Sequence, residues 1–401
     1  MKNLLKPSYL FSLIVLFLLA SCHKNDSPKP LKASRTVLAY IVADNSLNSF
    51  ASLDIDEMVE GYAAVDAENN NLLIYVDDKS TPRLIQVTKD RSGTVIKKTI
   101  HTYDEQNSLD VSVMSEVFDR VFERFPADSY GLVLWSHGDG WIQADPAAPS
   151  TRWFGQDAGT YMNISALATV LEPAPHFDFI LFDACFMQSV EVIYELASYG
   201  DYFISSPTEI PGPGAYYVDV VPAMFKEAST KKEEARNVGL AYYNYYNDNY
   251  TGVEGSNDNW TMGVSVSVVE SDKLASLAVA TKTLLPQYIS NGATVATSGI
   301  LCYDPYRDQN YYDMNGLAYS LAGEGSVYEA WKAAYEEAVV WAETTPSNYC
   351  TSSFGSGKMT SMAGFSGLSI HIPEGAFSSS VNTFYRTLGW YTAGGWSDTG
   401  W

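Results

Sequence analysis

Cysteine and histidine are scarce in this chain, four and five among 401 residues, and positive charge is short, with 25 Lys and Arg against 47 Asp and Glu. So few cysteines exclude a disulfide-knit scaffold. The histidines are scattered, and no His/Cys set has the spacing of a zinc site. The formal net charge of −22 argues against a nucleic-acid-binding protein, which needs a basic face. No loop carries the EF-hand pattern. Acidic pairs such as Asp77-Asp78 leave calcium open without indicating it, so no required cofactor is expected. There is no evident internal repeat and no linker that clearly splits the chain. With 46% hydrophobic and 18% charged residues, the composition is globular and the length ample for a large core.

Apolar runs are short as well. Tyr9 to Leu19, behind Lys2 and Lys6, is too brief for a comfortable membrane-spanning helix and has the layout of a signal peptide. It closes on Leu19-Ala20-Ser21-Cys22, which resembles the bacterial lipoprotein signal. By that resemblance Cys22 is the lipidated first residue of an exported protein anchored in the cell envelope; an ordinary signal cleavage nearby is the alternative. Residues His23 to Ser34, rich in Lys, Pro and Ser, read as a flexible tether.

What is present centres on Phe177 to Val190, FDFILFDACFMQSV. Asp178 to Asp183 reads as a short buried strand, and Met187 to Ala197 as a helix. Cys185 therefore sits where a central strand hands over to a helix, the edge at which open α/β sheets bind ligands. A helix amino terminus just beyond would favour the reactive thiolate. Alone, the thiol is as well explained as a buried core cysteine. A second stretch, YGLVLWSHGDG, ends a strand over Leu132 to Trp135 at His137, followed by Gly138. Parallel neighbours would bring His137 and Cys185 to one sheet edge, the minimum for nucleophilic catalysis. Gly138 would let the backbone approach a substrate, its N–H facing an oxyanion.

The rest of the chain supplies the sheet. Strands are expected over Val37 to Val42, Asn71 to Val76, Tyr202 to Ser206, Trp260 to Val269 and Leu368 to Ile372, with an edge hairpin around Asp90 to Gly93. Asp44-Asn45-Ser46 reads as a turn or helix cap before a helix over Leu47 to Tyr62. Further helices are expected over Leu109 to Phe125, Asn163 to Leu171, Tyr217 to Lys226, Lys232 to Tyr250, Asp272 to Ile289, Tyr312 to Ala322 and Val327 to Glu343. The tyrosines of AYYNYYNDNY (Ala241 to Tyr250) fit a packed face better than a ligand platform. This order implies right-handed crossovers and a mainly parallel sheet covered on both faces. Cys302 and Cys350 are either a disulfide or two buried thiols.

His-Gly after one strand and Asp-Ala-Cys after the next resemble the clostripain-like cysteine peptidases. RTVLAYIVADNSLNSF, with its Asp-Asn-x-Leu turn, TEIPGPGAYY and SGLSIHIP resemble three more family stretches. The resemblance implies a caspase-like three-layer αβα sandwich over 35–375, with 376–401 as a C-terminal extension. It implies a cysteine endopeptidase with Cys185 as nucleophile, His137 as general acid/base, and the N–H groups of Gly138 and Cys185 as the oxyanion hole. It implies that Asp183 lines the pocket for a basic side chain, Arg preferred, before the scissile bond. Glu209 is a second pocket candidate by position only. Family members can be cut between the His and the Cys after a basic residue, and Arg152 is the basic residue there. The expected partners are protein or peptide substrates and, through Cys22, a membrane; oligomeric state is left open. The alternatives are an inactive caspase-like binding protein and a cysteine hydrolase or transpeptidase of other specificity.

Overall fold

Leu38, Tyr40 and Val42 face one hydrophobic core, and Val37, Ala39 and Ile41 the other. Successive side chains of a strand point to opposite faces, so this all-apolar run must lie between two covered layers. The computed structural model describes residues 32–142, 154–257, 259–352, 357–374 and 379–401. Cys22, the signal segment and Arg152 lie outside them.

Among the described residues the strands are β1 (Ala33–Val42), β2 (Asn70–Asp77), β3 (Arg83–Lys89), β4 (Val95–Thr102), β5 (Ala127–Trp135), β6 (Phe154–Asp157), β7 (Thr160–Met162), β8 (Phe177–Asp183), β9 (Gly200–Ser205), β10 (Ser265–Glu270), β11 (Tyr312–Asp313), β12 (Val339–Thr344), β13 (Ser347–Thr351), β14 (Gly357–Ser361) and β15 (Ser369–Ile370). Nine of them form one sheet in the order β12-β10-β9-β8-β5-β1-β2-β3-β4. The central five run parallel. Antiparallel pairs flank them on each side.

The helices are α1 (Asn48–Gly61), α2 (Val111–Arg124), α3 (Ile164–Leu171), α4 (Val190–Leu196), α5 (Tyr217–Phe225), α6 (Lys231–Asp248), α7 (Leu274–Tyr288), α8 (Met314–Ala322), α9 (Ser326–Ala338), α10 (Ser379–Tyr385) and α11 (Gly389–Ala393). One face of the sheet carries α1, α5 and α6, the other α2, α3, α4 and α7 to α9. The result is the expected three-layer α/β sandwich with a mainly parallel centre. Caps locate several helix starts: Asp110 accepts from Ser112 N on α2, and Thr230 from Glu233 N on α6.

Three expectations are corrected. The helix expected over Val327 to Glu343 stops at Ala338, and Val339–Thr344 pairs antiparallel with β10. The run Val339-Val340-Trp341 suits a pleated surface as well as a helix, and the sheet edge decides. The strand expected from Trp260 begins only at Ser265. The late strand is reduced to Ser369–Ile370, paired with β11 outside the main sheet. At the carboxyl end, Trp390 and Trp396 are buried. Trp390 packs edge-on against Tyr194 of α4, 5.5 Å between ring centres. Cys185, Cys302 and Cys350 are free thiols.

Candidate active site

The two strands that carry the expected dyad end in step. Trp135 of β5 registers with Asp183 of β8, so His137 and Cys185 each lie two residues past the last pair. Ser136 N donates to Asp183 O at 3.4 Å beyond it. A methyl group built on Gly138 would stand 2.8 Å from both Ala184 Cβ and Cys185 O, and 3.2 Å from Cys185 N. The two backbones therefore touch, and only glycine fits at this contact.

His137, Gly138, Asp183, Cys185 and Glu209 all line one cleft of about 720 Å3. Leu47, Ile210, Pro211, Trp260, Met262 and Tyr349 form its apolar walls. Concave, mostly apolar clefts with a few converging polar groups are the usual form of ligand sites.

The expected helix dipole at the thiol is not realised. Phe186 takes a left-handed φ of 59°, an uncommon state for a bulky residue, and α4 begins only at Val190. Phe186 N donates to Thr208 O at 2.9 Å, and its ring stacks on Tyr311 at 5.0 Å. Burial, with the nearby Glu209 charge, pushes the Cys185 thiol up to about 12, against the Ile210 N–H and Arg307. Ile210 N donates to Sγ at 3.4 Å. Burial also lowers the His137 imidazole. Both shifts favour an uncharged pair at rest.

His137 Nε2 lies 2.8 Å from Ser46 Oγ. The turn that carries Ser46 is held by Asn45. Its amide donates to Val42 O at 3.0 Å and Gln156 O at 2.7 Å, and its Oδ1 accepts from Leu47 N at 2.8 Å.

Asp183 is buried on the α1/α5/α6 side of the sheet. Oδ2 accepts from Ala215 N at 2.9 Å and Tyr217 Oη at 2.7 Å, and Oδ1 from Tyr242 Oη at 2.9 Å. Burial raises its pKa and these three donors oppose the rise. Asp54 of α1 lies close by, accepting from Trp135 Nε1 at 2.7 Å. Burial, followed by the Asp183 and Glu57 charges, holds the Asp54 carboxyl well above the carboxylate range. Glu57 accepts from Tyr217 N at 3.0 Å, and burial raises it to about 7.

Glu209 sits on the opposite side of the thiol. Its carboxylate accepts from Thr351 N at 2.8 Å and Thr351 Oγ1 at 2.5 Å, and faces Arg307 Nη1 at 3.6 Å. Arg307 also donates to Asp139 Oδ2 at 2.8 Å, and its guanidinium lies 5.5 Å from the centre of the Phe186 ring. Burial opposes the Arg307 charge, but Asp139 and Glu209 hold it above its ordinary value.

Sequence reasoning missed Ser46, Asp54, Arg307 and the supporting Tyr217 and Tyr242. Tyr242 belongs to the tyrosine run read as packing, and its hydroxyl serves the Asp183 carboxylate. Arg307 lies in a loop without a distinguishing pattern. For Ser46 a signal existed: it occupies the open position of the Asp-Asn-x-Leu turn. Among the described residues, no group of three or more His, Cys, Asp or Glu side chains is arranged to hold a metal ion.

A cysteine and a histidine at adjoining parallel strand ends, inside a three-layer α/β sandwich, define the caspase-like class of cysteine hydrolases. Residues 39–401 match the profile of the clostripain family, peptidase C11, and the chain belongs to that family of cysteine peptidases. It is similar to a secreted C11 cysteine protease from Bacteroides thetaiotaomicron, solved with an irreversible peptide inhibitor. That match has 49% identity and a TM-score of 0.84, over 91% of this chain and 100% of the other. An inactive zymogen C11 protease from Parabacteroides distasonis matches at 32% identity and TM-score 0.76, over 91% and 99%. Clostripain of Hathewaya histolytica is 25% identical over 243 residues, 52% of this chain and 46% of that protein, so less than half of that relative is spanned.

Proposed function

We propose that this protein is an endopeptidase that cuts peptide bonds after basic residues with a Cys185–His137 dyad. The observation that carries the reading is the close packing of Gly138 on Cys185 at two strand ends that finish in register. The inhibitor-bound relative supports it, because that inhibitor is a peptide.

His137 takes the Cys185 proton as sulfur adds to the scissile carbonyl. The N–H groups of Gly138 and Cys185 receive the oxyanion, a donor type worth about 3 kcal/mol each. Collapse breaks the C–N bond, His137 gives its proton to the leaving amine, and a thioester remains. Water then adds with His137 as base, and the acid product leaves with the thiol restored. The neutral resting pair fits general-base activation at the moment of attack better than a standing thiolate.

Asp183 selects the basic side chain. A carboxylate offers about four acceptor positions, and three are filled from the protein. One position on Oδ1 remains for the substrate cation, so the contact is single and the advantage of Arg over Lys is modest. Glu209 is engaged by Thr351 and Arg307 and serves the cleft wall. Cleavage after Arg152 would convert a precursor, a step that fits a family in which one relative is an inactive zymogen. Export fits the secreted relative, with the lipid on Cys22 as the anchor.

The test is labelling of the full chain with an irreversible peptide reagent carrying Arg, before and after limited tryptic cleavage, read by mass spectrometry. Mass added at Cys185, and abolished in Cys185→Ala and His137→Ala, is the expected result. An unlabelled Cys185 in both states would point to a binding protein that retains the fold.

A further inference from the structure

We infer that Trp260 and Tyr349 form an apolar subsite of the cleft, which takes an aliphatic or aromatic side chain at the second or third residue before the cut. It rests on the endopeptidase reading above and adds a second element of specificity to it. The sheet brings this wall to the edge that carries the thiol. β8 and β9 run parallel, and β10 runs back against β9 with Ser267 opposite Ser205. The chain entering β10 therefore lies at the edge where β8 hands over to Cys185. Trp260 and Met262 are on that entering segment and line the cleft, and β13 adds Tyr349 and Thr351. Contacts run without a break from the thiol to the aromatic pair. Ile210 N donates to Cys185 Sγ at 3.4 Å, and Thr351 N donates to the neighbouring Glu209 carboxylate at 2.8 Å. Tyr349 stands two residues back along β13, on the face of Thr351. Its ring meets Trp260 edge-on, 6.1 Å between centres. Two strand spacings separate β10 from β8, about 10 Å, and an extended peptide covers that in about three residues.

The wall is braced and apolar. Asn348 is buried, and its amide donates to Ser265 Oγ at 2.6 Å and to Thr208 Oγ1 at 3.3 Å. It thereby ties β13 both to β10 and to the loop that carries Glu209 and Ile210. Gly357 of β14 packs on the Tyr349 ring, where a methyl group would stand 2.5 Å from Cζ. Trp260 Nε1 donates to Gly263 O at 2.9 Å, so the indole N–H is spent within its own turn. Among the described residues that line the cleft, the acidic and basic ones are His137, Asp139, Asp183, Glu209 and Arg307. None of them lies on the Trp260 segment or on β13. A rigid aromatic pair without a charge beside it gains by covering apolar surface and loses by stripping water from a polar side chain.

The experiment uses the full chain after limited tryptic cleavage and removal of the trypsin, as wild type, Trp260→Ala, Trp260→Phe, Tyr349→Ala and Cys185→Ala. The substrates are fluorogenic peptides with Arg before the cut. Leu, Phe, Ser, Asp and Gly are placed in turn at the second and at the third residue before it, with Ala at the other position. Wild type should prefer Leu or Phe over Gly about tenfold to fiftyfold in kcat/KM at one of the two positions. The gain should lie in KM, because apolar contact far from the reacting carbonyl is made equally in ground state and transition state. Trp260→Ala should cut the Leu-to-Gly ratio to about twofold, Tyr349→Ala should lower it less, and Trp260→Phe should keep most of it. A merely structural role would lower Leu and Gly peptides by the same factor and leave the ratio at its wild-type value. That result, or equal cleavage of Leu, Asp and Gly peptides by wild type, would overturn the subsite and leave the endopeptidase reading standing. No cleavage after Arg by wild type, or cleavage retained in Cys185→Ala, would overturn that reading and the subsite together.

Discussion

Two acidic regions flank the same thiol and are built in opposite ways. On one side Asp139 and Glu209 are matched by Arg307, at 2.8 and 3.6 Å. On the other, Asp183 is held by two tyrosine hydroxyls and a backbone N–H, with Asp54 and Glu57 near it. Among the described residues, no Lys, Arg or His is a hydrogen-bond partner of those three carboxyls. A carboxylate with a fixed internal cation has spent its charge on the fold. One steadied by neutral dipoles keeps its field for something that arrives later. In the proposed function the difference separates Glu209, on the wall of the cleft, from Asp183, the carboxylate that selects the substrate.

The largest expected effect comes from removing the uncompensated charge. Asp183→Asn should lower kcat/KM for basic substrates about a hundredfold, the cost of a lost charge-assisted bond, and leave a Leu substrate near wild type. An equal fall for both substrates would move Asp183 from selection to support.

Breaking the compensated side should act on stability instead. Arg307→Ala removes the guanidinium that Asp139 and Glu209 both face, and loss of one partner from such a buried network costs about 3 kcal/mol. Denaturant titration reads the loss. Iodoacetamide alkylation across pH should show the Cys185 thiol moved further up, since Arg307 favours the thiolate. No change in either would mean that the guanidinium is dispensable to both.

Tyr242→Phe removes one of three donors to Asp183. A single hydrogen bond is worth about 1 kcal/mol, so KM for a basic peptide should change about fivefold while kcat holds. An unchanged KM would detach this tyrosine from the pocket.

The smallest effect is in pH. Glu57 holds its proton to about 7 in the fold, against 4.5 as a free side chain. As pH rises through 7 it ionises beside Asp183, and KM for basic peptides should fall about twofold. Glu57→Gln should flatten that dependence. Because the folded value is raised, Glu57 contributes stability below 4.5 that is lost as pH climbs to about 7.

Much of this is legible in the order of the amino acids. Short apolar runs ahead of His137 and Cys185 mark the two strands, and alternation places Asp183 beside the thiol. What the sequence hides arises from non-local contact. Arg307 meets Asp139 only after the chain has built most of the sheet, and Asp54 meets Asp183 across two layers. The α4 start differs from expectation because a left-handed Phe186, pinned by Thr208 and Tyr311, cannot begin a helix there. The helix expected to reach Glu343 is stopped at Ala338 by pairing with β10. A local pattern cannot report that partner.

The most direct measurement is kcat/KM for peptides that differ only in the residue before the cut, with Arg, Lys, Asn, Asp and Leu, in wild type and Asp183→Asn. The account predicts Arg and Lys within about tenfold of each other and far above the rest, with that gap collapsing in Asp183→Asn. Preference for Asn or Asp, or a basic preference that survives Asp183→Asn, would contradict it.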